Sequence, residues 1–182
     1  MAPVLGYWLL RGRAQPIRLF LEYLEEPYEE KRYGQGDVAE WQAEKTSINL
    51  DFPNLPYYID GDFCITQSMA IIRYLADKHN LLGNDPKERA YITMLEGAVN
   101  DLRSAIATMA YSAQMEKEKA SLVEKMPDCL KKFEKYLESK PFLMGDKNLP
   151  RIKAYMESDR FVKWPLHAWF AAFGGGTKPP LS

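Results

Sequence analysis

Asn54-Leu55-Pro56-Tyr57-Tyr58-Ile59-Asp60-Gly61-Asp62-Phe63-Cys64-Ile65-Thr66 holds two β-rich runs joined by Asp60-Gly61. Aspartate followed by glycine between such runs is a strong hairpin signal, because the turn needs positive φ. Pro56 opens the first run, where a missing N–H is tolerated. The hairpin predicts two antiparallel strands, and the question is what sheet they join.

Upstream, Val4-Leu5-Gly6-Tyr7-Trp8 reads as a short strand that ends in the turn at Gly12. Gln15 to Leu24 follows with apolar residues at 17, 20, 21 and 24, one face of a helix, and Pro16 suits its first turn. Tyr28 to Tyr33 alternates weakly, as an exposed strand does, and a short helix is expected near Glu40–Glu44. A helix between two strands requires a right-handed crossover, so the first two strands should be parallel. Downstream of the hairpin, Gln67 to His79 reads as a helix. The order is β-α-β-α-β-β-α.

The character changes at Leu82-Gly83-Asn84-Asp85-Pro86, a polar break that marks a linker. Beyond it the pattern is helical. Lys87 to about Tyr111 carries Ile92, Leu95, Val99, Leu102, Ile106 and Met109 at helical spacing. Residues 116–139 repeat it, with Pro127 expected to kink or split the run, and a shorter helix is expected at about 150–157. These boundaries divide the chain into an α/β domain at 1–82, a linker at 83–87, an all-α domain at 88–173 and a flexible tail at 174–182.

Composition narrows the function. With 24 Lys and Arg against 25 Asp and Glu, there is no basic excess to hold nucleic acid or a membrane surface. No apolar run is long enough to span a bilayer, and no basic-then-apolar leader opens the chain, which favours the cytoplasm. Cys64 and Cys129 lie far apart, so reduced thiols are expected, and His79 and His167 are too few for a metal site.

Blocks of residues carry a more specific signal. Gly6-Tyr7-Trp8, Arg11-Gly12, Gln15-Pro16-Ile17-Arg18, the run Phe52 to Gly61, Thr66 to Tyr74, Ala76 to Asn80, Met94 to Ala98 and Trp164-Pro165-Leu166 follow one another in this order. Together they resemble the mu-class cytosolic glutathione transferases, and those of parasitic flatworms above all. The resemblance implies an N-terminal thioredoxin-like domain, an all-helical second domain and a homodimer. It implies glutathione as a cosubstrate, with no tightly bound cofactor and no metal. Small hydrophobic electrophiles would be the other partner.

The resemblance also assigns roles. Tyr7 would be catalytic, donating a hydrogen bond to the glutathione sulfur. A free thiol has a pKa near ~8.5, and a hydrogen bond to its charged form favours the reactive thiolate. The start of the helix at Gln15-Pro16 would add its positive end. Trp8, Trp41 and Lys45 match contacts to the glycine end, Asn54 and Leu55 match contacts to the cysteinyl part, and a cis Leu55–Pro56 bond is implied. Gln67 and Ser68 match the group that holds the γ-glutamyl carboxylate at a helix N-terminus. Asp101 resembles the acid that reaches across the dimer, and Phe52 the aromatic key inserted into the other subunit. Arg103 and Tyr111 resemble lining of the electrophile pocket.

Two departures stand out. Arg13 occupies a position that is usually an apolar leucine beside the electrophile pocket; a cation there would shift selectivity towards anionic or polar electrophiles, or occlude the pocket. After Pro141 to Lys147 the chain jumps to Asn148-Leu149-Pro150-Arg151, and roughly two helices of the family pattern are absent. Either the sequence joins two parts across an omitted stretch, or this is a true internal deletion that exposes apolar faces. Conjugation of glutathione is the leading reading. A non-catalytic binder or carrier of glutathione or hydrophobic ligands, a glutathione-dependent isomerase and a scaffold protein are the rivals.

Overall fold

The structure is a computed structural model that describes residues 1–138, 143 and 150–176. Four strands form its sheet: β1 (Val4–Trp8), β2 (Glu29–Tyr33), β3 (Tyr57–Asp60) and β4 (Phe63–Thr66). Their spatial order is β2-β1-β3-β4. β1 and β2 are parallel, as a helix between them requires, with Val4 opposite Glu29 and Trp8 opposite Tyr33. The hairpin forms, but its turn falls one residue later than Asp60-Gly61 marks it: Asp60 pairs with Phe63, and Gly61-Asp62 make the turn with Gly61 at φ 62°. β3 also pairs antiparallel with β1, bringing Tyr57 opposite Gly6. A Cβ at Gly6 would overlap the Tyr57 ring, so glycine is what allows the two strands to carry that aromatic between them.

Helix α1 (Gln15–Leu24) and helix α3 (Ser68–Lys78) cover one side of this sheet. Their buried residues Ile17, Leu21, Ile71 and Leu75 pack with Leu5 and Tyr58. Adjacent strand residues point to opposite faces, so Tyr57 heads a second cluster with Tyr7, Leu10, Tyr33, Trp41, Leu50 and Leu55. Helix α2 (Val38–Glu44), entered through a short 3-10 turn at Gln35–Asp37, contributes Trp41 to that cluster.

The second half is helical: α4 (Pro86–Ala110), α5 (Met115–Leu137) and α6 (Pro150–Glu157). Asp85 caps α4, its carboxylate accepting from the Lys87 and Glu88 N–H groups at 2.7 and 2.9 Å. α5 runs unbroken through Pro127, which corrects the expected kink or split. The carbonyl that loses its partner to that proline belongs to Val123, an exposed residue that water can reach. α6 packs against α1, with Arg151 paired to Glu25 and Arg160 to Glu22.

Gly174 to Gly176 depart from the expected flexible tail. Leu166 and His167 N–H groups both donate to the Gly174 carbonyl, and Trp164 Nε1–H donates to Gly176. The rest of the expected tail, 177–182, and the junction at Lys147–Asn148 lie outside the described residues.

Candidate active site

Tyr7 sits at the end of β1 with its side chain buried. Its hydroxyl oxygen accepts the Arg13 backbone N–H at 3.0 Å, from the loop that leads into α1. That leaves the phenolic proton free to donate elsewhere. Burial pushes the Tyr7 hydroxyl above its ordinary value of 10.0, against the pull of the Arg13 N–H and of the Arg13 and Arg103 charges. Tyr7 is therefore a neutral donor at physiological pH, not a phenolate.

The loop around it is held tightly. Gly12 adopts φ 38°, and a Cβ there would lie 2.6 Å from the Tyr7 hydroxyl. Only glycine fits that approach without strain. The Arg11 and Gly12 N–H groups donate to the Pro165 and Leu166 carbonyls at 2.9 and 3.0 Å. Arg11 Nε also donates to the Val162 carbonyl, and its guanidinium lies over the Phe161 ring. Arg103 Nη2, reaching from α4, donates to the Gly12 carbonyl at 2.6 Å. The helical half thus grips the loop that positions Tyr7. Gly12 and Arg11 escaped assignment in the sequence, although the turn signal at Gly12 was visible.

A cleft of about 310 Å³ opens at Tyr7, lined by Trp8, Arg13, Asn54, Leu55, Pro56, Gln67 and Ser68 as well. Six of the residues assigned to glutathione therefore converge there: Tyr7, Trp8, Asn54, Leu55, Gln67 and Ser68. The Leu55–Pro56 bond is cis. Thr66 Oγ1 donates to the Phe52 carbonyl and ties the loop before Leu55 to the start of α3. Gln67, just before α3, holds φ 71°, a left-handed conformation that is uncommon for a side-chain-bearing residue and concentrates at functional sites. Ser68 follows it, buried, at a helix N-terminus suited to a carboxylate.

The other assigned residues lie elsewhere. Trp41 is not among the residues that line this cleft; it is 5% exposed, stacked on Tyr57 and tilted against Tyr33. Lys45 lies just after α2, half-buried and outside the cleft lining, with no ion pair among the described residues. Asp101 is exposed on α4, and Phe52 is 77% exposed on its loop. Tyr111 accepts the Ala168 N–H at 2.9 Å and packs on His167 and Phe170. Among the described residues no cluster of His, Cys, Asp and Glu could hold a metal ion, and no helix is long and apolar enough to cross a membrane.

Known proteins share this arrangement. Residues 3–77 match the glutathione S-transferase N-terminal domain and residues 100–148 the C-terminal domain. A class-mu 26 kDa glutathione S-transferase of Schistosoma mansoni is 52% identical over 194 positions, covering 99% of this chain and all of that protein. The Schistosoma japonicum class-mu 26 kDa isozyme is 44% identical over 217 positions, again covering 99% of this chain and all of the relative. That alignment spans 217 positions and the chain has 182 residues, so at least 35 positions hold no residue of this chain. Among solved structures, the glutathione S-transferase Blo t 8 superposes with a TM-score of 0.85 at 28% identity, over 94% of this chain and 99% of that one. The chain belongs to the glutathione S-transferases, and to their mu class.

Proposed function

We propose that this chain conjugates the glutathione thiolate to small hydrophobic electrophiles, as a cytoplasmic homodimer with no tightly bound cofactor. Residues 1–82 form the glutathione-binding domain in this reading, 83–87 the linker and 88–173 the helical domain. Tyr7 is the catalytic residue. The observation that carries the reading is its hydroxyl, neutral, buried, braced by the Arg13 N–H and open to the cleft. Its proton is aimed at the thiolate sulfur, which it stabilises without leaving the phenol. The sulfur attacks the electrophilic carbon, a C–S bond forms, the leaving group departs with its electron pair, and the thiol proton goes to solvent.

Gln67 and Ser68 hold the γ-glutamyl carboxylate, and Asn54 and Leu55 the cysteinyl backbone. The Leu55 N–H is taken by the Asn54 side chain at 2.8 Å, so Asn54 must release it for a ligand to accept it. Trp8 and Lys45 hold the glycine end. Trp41 supports them through Tyr33, whose ring contacts Trp8. Asp101 completes the site of the other subunit, and Phe52, with nothing to cover it in one chain, is the dimer key. Arg13, Arg103 and Tyr111 border the electrophile.

The test is conjugation of glutathione to a generic aryl chloride by protein of verified intact mass, beside Tyr7→Phe. A hydrogen bond to a charged group is worth about 1.5–3 kcal/mol, so turnover should fall roughly ten- to hundredfold. Glutathione affinity should change little. Equal loss of both, or of neither, would sink the role of Tyr7; glutathione binding without turnover in the parent protein would favour a carrier.

A further inference from the structure

The electrophile side of the cleft carries positive charge that no described residue offsets. Arg13 lines the cleft beside Tyr7. Arg103, half-buried, reaches the loop beside Tyr7 from α4 and is anchored on the Gly12 carbonyl. Among the described residues neither guanidinium has a carboxylate within ion-pair distance. Arg18, by contrast, is fully buried and is paired with Glu30 at 2.6 Å. Burial lowers the Arg103 pKa and the Arg13 charge lowers it further, so the two cations act on each other. Both also act on Tyr7; burial and the Arg103 charge lower the His167 pKa, so His167 is neutral and adds no further positive charge.

Two like charges near one another in a half-dry cleft raise the energy of the free protein, unless an anion joins them. Glutathione brings three negative charges. Its carboxylates belong to Gln67–Ser68 and to the glycine end, and its sulfur to Tyr7. One thiolate between two guanidiniums leaves a net positive charge. An electrophile that carries an anionic group would neutralise it; a neutral one would not. In a site without these cations, the same anionic electrophile would be repelled by the thiolate it must meet.

We propose that Arg13 and Arg103 form an anion-selecting edge of the electrophile site, which favours acceptors bearing a carboxylate on the ring that carries the reacting carbon. This rests on the transferase reading and names its substrate class. Arg13 is the residue that sets the preference, because its backbone N–H serves Tyr7 whatever side chain it carries. Arg103 also supports the Gly12 loop, so its substitution mixes two effects.

The experiment compares 4-chloro-3-nitrobenzoate with its methyl ester, which share one reacting carbon and one leaving group. In each, the thiolate adds to the carbon bearing chlorine, and chloride leaves with the bonding pair. The reading is the ratio of kcat/KM for the acid to that for the ester. Arg13→Leu should lower the ratio about tenfold, and Arg13→Lys should keep most of it. Raising the ionic strength should slow the acid more than the ester. A ratio within twofold of the parent value in Arg13→Leu, with the ester still turned over, overturns the anion site and leaves the transferase standing. Turnover of neither probe by the parent protein overturns both.

Discussion

Tyr7 shows how much one residue depends on its surroundings. A strand-end tyrosine is ordinary in sequence; what makes this one a donor is the Arg13 N–H on its oxygen and the glycine that lets the loop close on it. Because burial raises the Tyr7 pKa above 10.0, its proton is retained through the neutral range. The sign of the pH dependence follows. Activity rises with pH as the glutathione thiol ionises, and Tyr7 produces no falling limb below pH 10. The hydrogen bond pulls the rising limb below the free-thiol value of ~8.5. In Tyr7→Phe that limb should move up towards the free-thiol value, as read from kcat/KM for a neutral aryl chloride. A falling limb in the parent that vanishes in the mutant would mean that Tyr7 ionises, against the present assignment.

At the scale of elements, Arg18 holds the first crossover together. It lies on the inner face of α1, fully buried, with Nε on Glu30 of β2 at 2.6 Å and Nη1 on the Leu10 carbonyl at 2.9 Å. One guanidinium thus links the helix, the second strand and the loop behind Tyr7. Removing a partner from a buried pair costs more than the pair contributes, because the other charge is stranded. Arg32 also holds Glu30, at 2.7 Å, which softens the loss. Arg18→Ala should therefore lower the unfolding free energy by about 3 kcal/mol in urea titration; a change under about 1 kcal/mol would show the link to be idle. The sequence disclosed the helix but not this burial. Periodicity at 17, 20, 21 and 24 locates the apolar face, and Ile17 and Leu21 are indeed fully buried. The parallel pairing and the hairpin were legible because each rests on short-range rules of turn and crossover. Arg18 and Trp41 were not, since their places depend on pairing across the sheet: Gly6 makes room for Tyr57, and Trp41 stacks on the Tyr57 ring. The grip of residues 161–166 on Arg11 and Gly12 is likewise non-local, joining positions some 150 residues apart.

The chain leaves at least 35 positions unfilled in the alignment with the Schistosoma japonicum relative and at least 12 in that with the Schistosoma mansoni one, and in its helical half α5 is short of cover. α5 buries none of its residues, although its spacing of Leu122, Val123, Met126, Leu130 and Phe133 is that of a helix with an apolar face. Val123 is 63% and Leu130 49% exposed. A helix patterned for burial and covered only in part by α4 leaves apolar surface exposed. The stability of the chain then rests on the sheet, its two clusters and the α1–α6 and α4–α5 contacts. This makes α5 the place where charge is tolerated. Val123→Glu with Leu130→Glu should change the unfolding free energy by no more than about 0.5 kcal/mol per site, since surface substitutions rarely do more. Binding of an environment-sensitive apolar dye should fall, and so should light scattering on heating. Glutathione conjugation should persist, because neither residue approaches the cleft. A loss of more than about 2 kcal/mol would show instead that Val123 and Leu130 are covered in solution. Concentration-dependent unfolding of the parent protein would then identify a second copy as the cover.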